Sequence, residues 1–149
     1  SDLYYYIQEL NNEIQSFSNA MLAYDWDMSI AVEGSEDTTY RLSGITLDEN
    51  YNIREIKNAT HYVSATATSD LLVSRFESVE YGEAYMLVNF AKAESDKNVV
   101  NATFKDCDFV ALYGGKGYTG TPKIVKLDES GNVTIELNYG DGVFITPLA

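Results

Sequence analysis

The chain has 149 residues, a net charge of −13 and a hydrophobic content of 45%. These values fit one globular domain with a real core and exclude a disordered chain. The ten Lys and Arg residues are scattered, so we expect no nucleic-acid partner. No apolar run approaches the ~20 residues of a membrane span, so we expect a soluble chain with no membrane partner. Residues 1–10 lack a signal-peptide pattern, but a signal upstream of residue 1 leaves the compartment open, cytoplasmic or secreted.

Residues 3–24 are predicted to form one long helix, with Asp2 as its N-cap. Its apolar residues recur at alternating spacings of four and three, which makes one stripe over about six turns. The stripe consists of Leu3, Ile7, Leu10, Ile14, Phe17, Met21 and Tyr24. We expect it to pack against a globular neighbour, with a coiled-coil seam as the alternative. Residues 4–6 are all tyrosines, which predicts that the helix start touches a neighbour on more than one side.

From residue 28 onward the hydrophobic pattern changes to the alternation of β-strands. The strand candidates are Met28–Val32, Tyr40–Ile45, Asn52–Ile56, His61–Thr68, Leu71–Phe76, Ala84–Phe90, Val99–Phe104, Asp108–Tyr113, a hairpin with arms at 123–127 and 133–137, and a last strand after the turn 139–142. The run Ala84–Phe90 is apolar on nearly both faces, which predicts a central strand. The fold class is therefore mainly β: an antiparallel, Greek-key-like β-sandwich of about 8–10 strands, preceded by the long helix. We divide the chain into residues 1–27 (helix and junction) and residues 28–149 (sandwich).

Three segments resemble parts of a known enzyme architecture. The segment "SDLYYYIQELNNEIQSF" (1–17) is similar to the last helix of the catalytic TIM barrel in bacterial glycoside hydrolases of the β-galactosidase-like clan. "DLLVSRFESVEYGEAYMLVNFA" (70–91) and residues 101–148, with the ending "GVFITPL", resemble strands of their C-terminal all-β domain. The resemblance implies a bacterial fragment: a C-terminal accessory sandwich with a trailing barrel helix, whose partner is its own parent barrel. The catalytic glutamates of that family lie on barrel strands, so no catalytic residue is carried over and we expect no enzyme activity from this chain alone.

The polar residues of the chain predict no catalytic or metal centre. His61, the only histidine, lies in a Thr- and Val-rich strand without a metal-ligand spacing. Cys107, the only cysteine, stands between Asp106 and Asp108, which disfavours its thiolate. The paired acidic residues occur in or near turns with no evident cleft and no EF-hand spacing. We therefore expect no cofactor and no metal.

Aromatic residues give the alternative function, a carbohydrate-binding module. The glycine-rich loop 114–122 lacks a phosphate-loop ending and carries Tyr118, with Tyr113 just before it. An exposed aromatic ring there would stack on a sugar, whereas the structural alternative is that Tyr118 folds back on the sandwich or onto the parent barrel. Trp26, the only tryptophan, is expected to plug the junction between helix and sandwich, with a sugar platform as its alternative. Carbohydrate is thus a candidate partner, and an oligomer contact is a further option.

Overall fold

A computed structural model describes residues 21–36, 55–90, 97–115 and 117–148. These residues form nine strands: β1 (Asp25–Val32), β2 (Tyr62–Ala67), β3 (Leu71–Ser78), β4 (Gly82–Asn89), β5 (Asn98–Phe104), β6 (Phe109–Gly114), β7 (Lys123–Lys126), β8 (Asn132–Leu137) and β9 (Gly142–Leu148). The mainly β class is therefore confirmed. The predicted helix 3–24 lies outside the described residues up to residue 20, and so do the predicted strand Tyr40–Ile45 and most of the predicted strand Asn52–Ile56.

The strands form two antiparallel sheets. One sheet has six strands in the order β1-β3-β4-β9-β6-β7, and the other has three in the order β2-β5-β8. Apolar side chains from both sheets meet in one core between them, with Tyr85, Leu87 and Ile145 from the larger sheet and Val100 and Leu137 from the smaller one. The two sheets thus pack face to face as a β-sandwich, as the alternating sequence pattern predicts.

The predicted hairpin over 123–137 is wrong. β7 pairs with β6 in the six-stranded sheet, whereas β8 pairs with β5 in the three-stranded sheet. The turn between them is a local Asp128 turn, in which the side-chain oxygen of Asp128 accepts from the amides of Ser130 and Asn132 at 2.9 and 2.8 Å. This turn carries the chain from the six-stranded sheet to the three-stranded sheet. Asp128 supplies the hydrogen bonds of an ordinary tight turn, but the strands before and after the turn lie in different sheets.

β4 is the central strand that the sequence predicts. It lies between β3 and β9, and every residue from Glu83 to Asn89 is buried. Tyr85 and Leu87 point into the inter-sheet core, while Met86 and Val88 point the other way and belong to a second apolar cluster. The six-stranded sheet therefore buries apolar side chains on both of its faces.

A buried polar network joins the loops at one end of the sandwich. The Asn98 side chain donates to the Ser69 carbonyl at 2.9 Å and to Asn89 Oδ1 at 3.1 Å. Asn89 in turn donates to the Asn138 carbonyl at 2.8 Å, and Asp70 Oδ1 accepts from the Gly34 amide at 2.9 Å. Because buried polar groups are costly unless they are paired, these bonds fix how the loops cross from one sheet to the other.

Candidate functional site

The outer face of the six-stranded sheet carries a second hydrophobic cluster, which we call the outer cluster. Its buried members are Leu72, Ala84, Met86, Val88, Phe90 and Phe144. Val88 and Phe144 are only 2% and 0% exposed, although they point away from the core between the sheets. Among the described residues, Met21, Tyr24, Phe76, Tyr113 and Tyr118 pack against this cluster. An antiparallel sheet commonly has one face exposed to solvent, so burial of the second face indicates that other residues cover it.

Phe144 is the centre of the aromatic contacts in the outer cluster. Its ring centroid lies 5.4 Å from that of Tyr24, 5.9 Å from that of Phe76 and 6.2 Å from that of Tyr113, all in edge-to-face geometry. Ala84 lies opposite Phe76 on β4, and its small side chain leaves room for the rings of β3 and β9 to meet above it. Edge-to-face pairs add about 0.5–1.5 kcal/mol each beyond the area that they bury. The aromatic residues thus tie three strands and the segment before β1 together.

Tyr113 and Tyr118 lie against the outer cluster. Tyr113 is the register partner of Phe144 in the pairing of β6 with β9, and both tyrosines are partly buried. This is the arrangement of the structural alternative, in which Tyr118 folds back on the sandwich. Tyr118 also lines a cavity of about 290 Å³ beneath the glycine-rich loop, together with Thr121, Lys123, Thr134 and Glu136. Leu112, Ile135 and Val143 add apolar side chains to its lining.

Trp26 is exposed and is not the buried plug that the sequence predicts. It is 63% exposed, and its indole N–H donates to Ser29 Oγ at 2.9 Å. The register of β1 shifts between Trp26 and Met28, where a bulge lets Trp26 pair with Phe76 while Met28 pairs with Arg75. The bulge turns Trp26 to the outer face and keeps Met28 on the inner face, although both would share one face in a regular strand. Its position is therefore set by a backbone irregularity that the sequence pattern does not show.

The three predicted site residues do not form one platform. Trp26 is on β1, at one edge of the six-stranded sheet, while Tyr113 is on β6, four strands away. At about 4.8 Å per strand this separation is roughly 19 Å. Tyr118 follows β6 and lies on the same side as Tyr113. Any ligand that stacks on Trp26 therefore uses other neighbours.

Tyr81 is an exposed aromatic residue beside Tyr24 that sequence reasoning missed. It is 60% exposed in the turn between β3 and β4, and its ring lies 6.3 Å from that of Tyr24. The signal is the short turn "SVEYGE", in which Tyr81 directly precedes Gly82, whose φ is +81°. Leu22 and Val79 are exposed as well, at 82% and 110%. We call Leu22, Trp26, Val79 and Tyr81 the exposed rim.

A buried ion cluster closes the inter-sheet core near the same turn. Arg75 Nε bonds Glu83 Oε2 at 3.0 Å, and Arg75 Nη1 bonds Asp27 at 2.9 Å and Glu77 at 3.0 Å. Burial acts to lower the pKa of Arg75, but the hydrogen bonds to Glu77, Glu83 and Asp27 outweigh it and raise that pKa above its usual range. The guanidinium thus keeps its charge, and the carboxylates of Asp27, Glu77 and Glu83 balance it, as a buried cation requires.

Glu83 is held in its charged form by four donors. Burial acts to raise the pKa of its carboxyl, but bonds from the Thr60 amide, the Tyr85 hydroxyl, the His61 amide and Arg75 hold it below its usual value. The shortest amide bond, from His61, is 2.7 Å. A buried carboxylate with a depressed pKa and this many donors serves as a structural anion rather than as a proton donor.

The remaining nucleophile and metal candidates are weak in the described part of the chain. Burial, with Asp108 and Asp106 next in effect, raises the pKa of the Cys107 thiol and lowers its reactivity. His61 Nδ1 lies 2.9 Å from the Lys105 carbonyl. Across residues 21–36, 55–90, 97–115 and 117–148, no group of three or more His, Cys, Asp and Glu side chains is placed to hold a metal ion. No helix within those ranges is long and apolar enough to cross a membrane.

No family model, curated protein or solved structure matches this chain. The fold and the surface therefore define the class by themselves: a β-sandwich with a covered outer face on its larger sheet and an exposed aromatic rim beside it.

Proposed function

We propose that the chain is a non-catalytic accessory β-sandwich domain that packs against the rest of a larger protein on the outer side of its six-stranded sheet. The observation that carries this proposal is the outer cluster, a second apolar layer on a sheet that already buries its inner face. A sheet with apolar side chains on both faces suits a middle layer, with a neighbour on each side. Within the exposed rim, Trp26 pairs with Phe76 and Tyr81 lies beside Tyr24, so both are next to the outer cluster and are the part of the surface that a neighbour would still have to cover.

The nature of the neighbour comes from the sequence resemblance. The C-terminal sandwiches that residues 70–91 and 101–148 resemble belong to bacterial glycoside hydrolases with a TIM-barrel catalytic domain, so the proposed neighbour is such a barrel in the same polypeptide. The sandwich would stabilise the barrel or shape its substrate cleft. The buried carboxylate of Glu83 is neutralised by Arg75 and hydrogen-bonded, which suits a structural role.

An activity comparison tests the proposal. The chain alone and the protein encoded by its complete gene are assayed on a panel of aryl glycosides. The expected result is hydrolysis by the complete protein and none by the chain. Hydrolysis by the chain, or a complete gene product that contains nothing besides this sandwich and its helix, would overturn the proposal.

A second candidate is carbohydrate binding, and the exposure of Trp26 favours it. The indole is oriented by its bond to Ser29, whose hydroxyl is 2.7 Å from that of Ser74, so the ring is held in place while remaining in solvent. A fixed aromatic ring loses little conformational entropy when it stacks on a sugar.

Affinity electrophoresis in gels that contain soluble polysaccharides tests this candidate. Retardation of the wild type that is lost in Trp26→Ala but kept in Phe109→Ala would support it, since Phe109 is 41% exposed on β6, at a distance from the rim. Loss in Tyr118→Ala instead would place the platform at Tyr113 and Tyr118. An absence of retardation on every polysaccharide counts against carbohydrate binding altogether.

A further inference from the structure

The last residues of the predicted helix already lie on the outer cluster. Met21 and Tyr24 both pack against it, and the Tyr24 ring meets the Phe144 ring edge-on at 5.4 Å. The Tyr24 amide donates to the Met21 carbonyl at 3.0 Å, so the two residues form one turn. They are also the last two members of the apolar stripe that the sequence predicts. The end of the stripe is thus placed above β9, in the middle of the sheet.

One row of the outer cluster, which we call the strip, runs along β4, with Leu72 on β3 and Phe144 on β9 beside it. Ala84, Met86 and Val88 follow one another on the outer face of β4, and Phe90 continues the row. Six residues of strand span about 20 Å. On a helix, the stretch from Leu10 to Tyr24 spans about 21 Å, because each residue rises about 1.5 Å. The strip on the sheet and the last five members of the stripe therefore have the same length.

We infer that the chain's own predicted helix, residues 3–24, is the occupant of the outer face, with its stripe from Leu10 to Tyr24 seated along the outer cluster. An amphipathic helix gains most of its stability from such packing rather than from its own hydrogen bonds. The match in length and the position of Met21 and Tyr24 carry the inference. It rests on the proposed function, because it makes the helix the layer between the sandwich and its neighbour.

Two variants and one contact measurement on the whole chain test the inference. Leu10→Asp and Asn11→Asp are a matched pair, since each adds one carboxylate at adjacent positions, one on the stripe and one off it. Leu10→Asp is expected to lower the melting temperature by roughly 5–10 °C and Asn11→Asp by less than about 2 °C. In methyl-labelled wild type, nuclear Overhauser contacts are expected between the methyls of Ile14 or Leu10 and those of Val88 or Leu72.

Three outcomes would overturn the inference. The first is equal melting temperatures for the two variants, and the second is an absence of these methyl contacts. The third is contacts that appear only between differently labelled chains in a mixed sample, because a second copy is then the occupant. This failure can be told apart from a failure of the proposed function. If the helix is not seated on the strip, a neighbour can still cover the exposed rim in the complete protein. If the helix is seated, the exposed rim can still remain uncovered.

Discussion

The ion cluster around Arg75 gives a stability prediction whose size follows from the structure. In the variant Glu83→Gln, the side chain keeps its shape but loses its charge and one of its two acceptor oxygens. The wild-type carboxylate accepts from the amides of Thr60 and His61 and from Arg75 Nε, with the shortest of these bonds at 2.7 Å. An amide NH₂ group in place of one oxygen faces these donors and cannot accept from them.

We expect Glu83→Gln to lower the free energy of unfolding by about 3 kcal/mol at pH 7. Removing one partner of a buried ion pair costs about 3–5 kcal/mol, and the lower end applies because Arg75 retains Asp27 and Glu77. For an m-value of about 2 kcal/mol/M, the urea midpoint falls by about 1.5 M. Circular dichroism in the far ultraviolet during urea titration measures this shift.

The matched control is Glu77→Gln. Glu77 bonds the same guanidinium at 3.0 Å, but its side chain is 59% exposed, so its loss is expected to cost less than about 1 kcal/mol. Equal costs for the two variants would refute the reasoning, because burial would then not decide the strength of the two bonds.

The difference between wild type and Glu83→Gln should also depend on pH. The pKa of Glu83 is lower in the folded chain than its value of about 4.3 in the unfolded chain, so its stabilisation is present above about pH 4.3 and is lost as the pH falls through the folded pKa. The stability gap should therefore be widest above about pH 5 and should narrow in acid. A gap that stays constant down to the acid transition would contradict the assignment.

Three further predictions address other parts of the sandwich. Gly34→Ala should destabilise the chain by about 2 kcal/mol or more in urea titrations, because an added Cβ would stand 2.4 Å from the Ser69 backbone; the exposed control Ser35→Ala should be nearly neutral, and a neutral Gly34→Ala would contradict the close approach. Cys107 should react with a thiol reagent several-fold more slowly than free cysteine at pH 7.5, because its pKa is raised, and a faster reaction would disprove its quiet role. Burial raises the pKa of Tyr62 to about 12, so its stabilising contribution should be lost as the pH rises from about 10 towards 12; ionisation of all tyrosines near pH 10 with the fold intact would refute this.

The parts of the fold that depend on local alternation could be predicted from the sequence. β4 is an example: its run of apolar residues on both faces required a central position, and the structure places it between β3 and β9. The partners of β7 and β8 could not be predicted, because the Asp128 turn has the same local chemistry whether the chain returns to one sheet or crosses to the other. Which sheet each strand joins is decided by contacts far apart in sequence, such as those of β8 with β5.

The candidate site was predicted in part. An exposed Trp26 depends on the bulge in β1, which reverses the face that simple alternation would give it. Tyr81 was not predicted because a single aromatic residue in a turn belongs to no periodic pattern of apolar residues. The burial of Arg75 and Glu83 was likewise hidden, since charged residues at inward positions are accepted only when distant partners such as Asp27 neutralise them.

The central claim is that the outer side of the six-stranded sheet faces the rest of a larger protein. Hydroxyl-radical footprinting of the chain alone and of the protein encoded by the complete gene tests it most directly. Trp26 and Tyr81, which are 63% and 60% exposed, should be labelled in the chain and protected in the complete protein. Tyr139, in the turn between β8 and β9, should be labelled in both. Equal labelling of Trp26 and Tyr81 in the two samples, with protection of Tyr139 instead, would contradict the account.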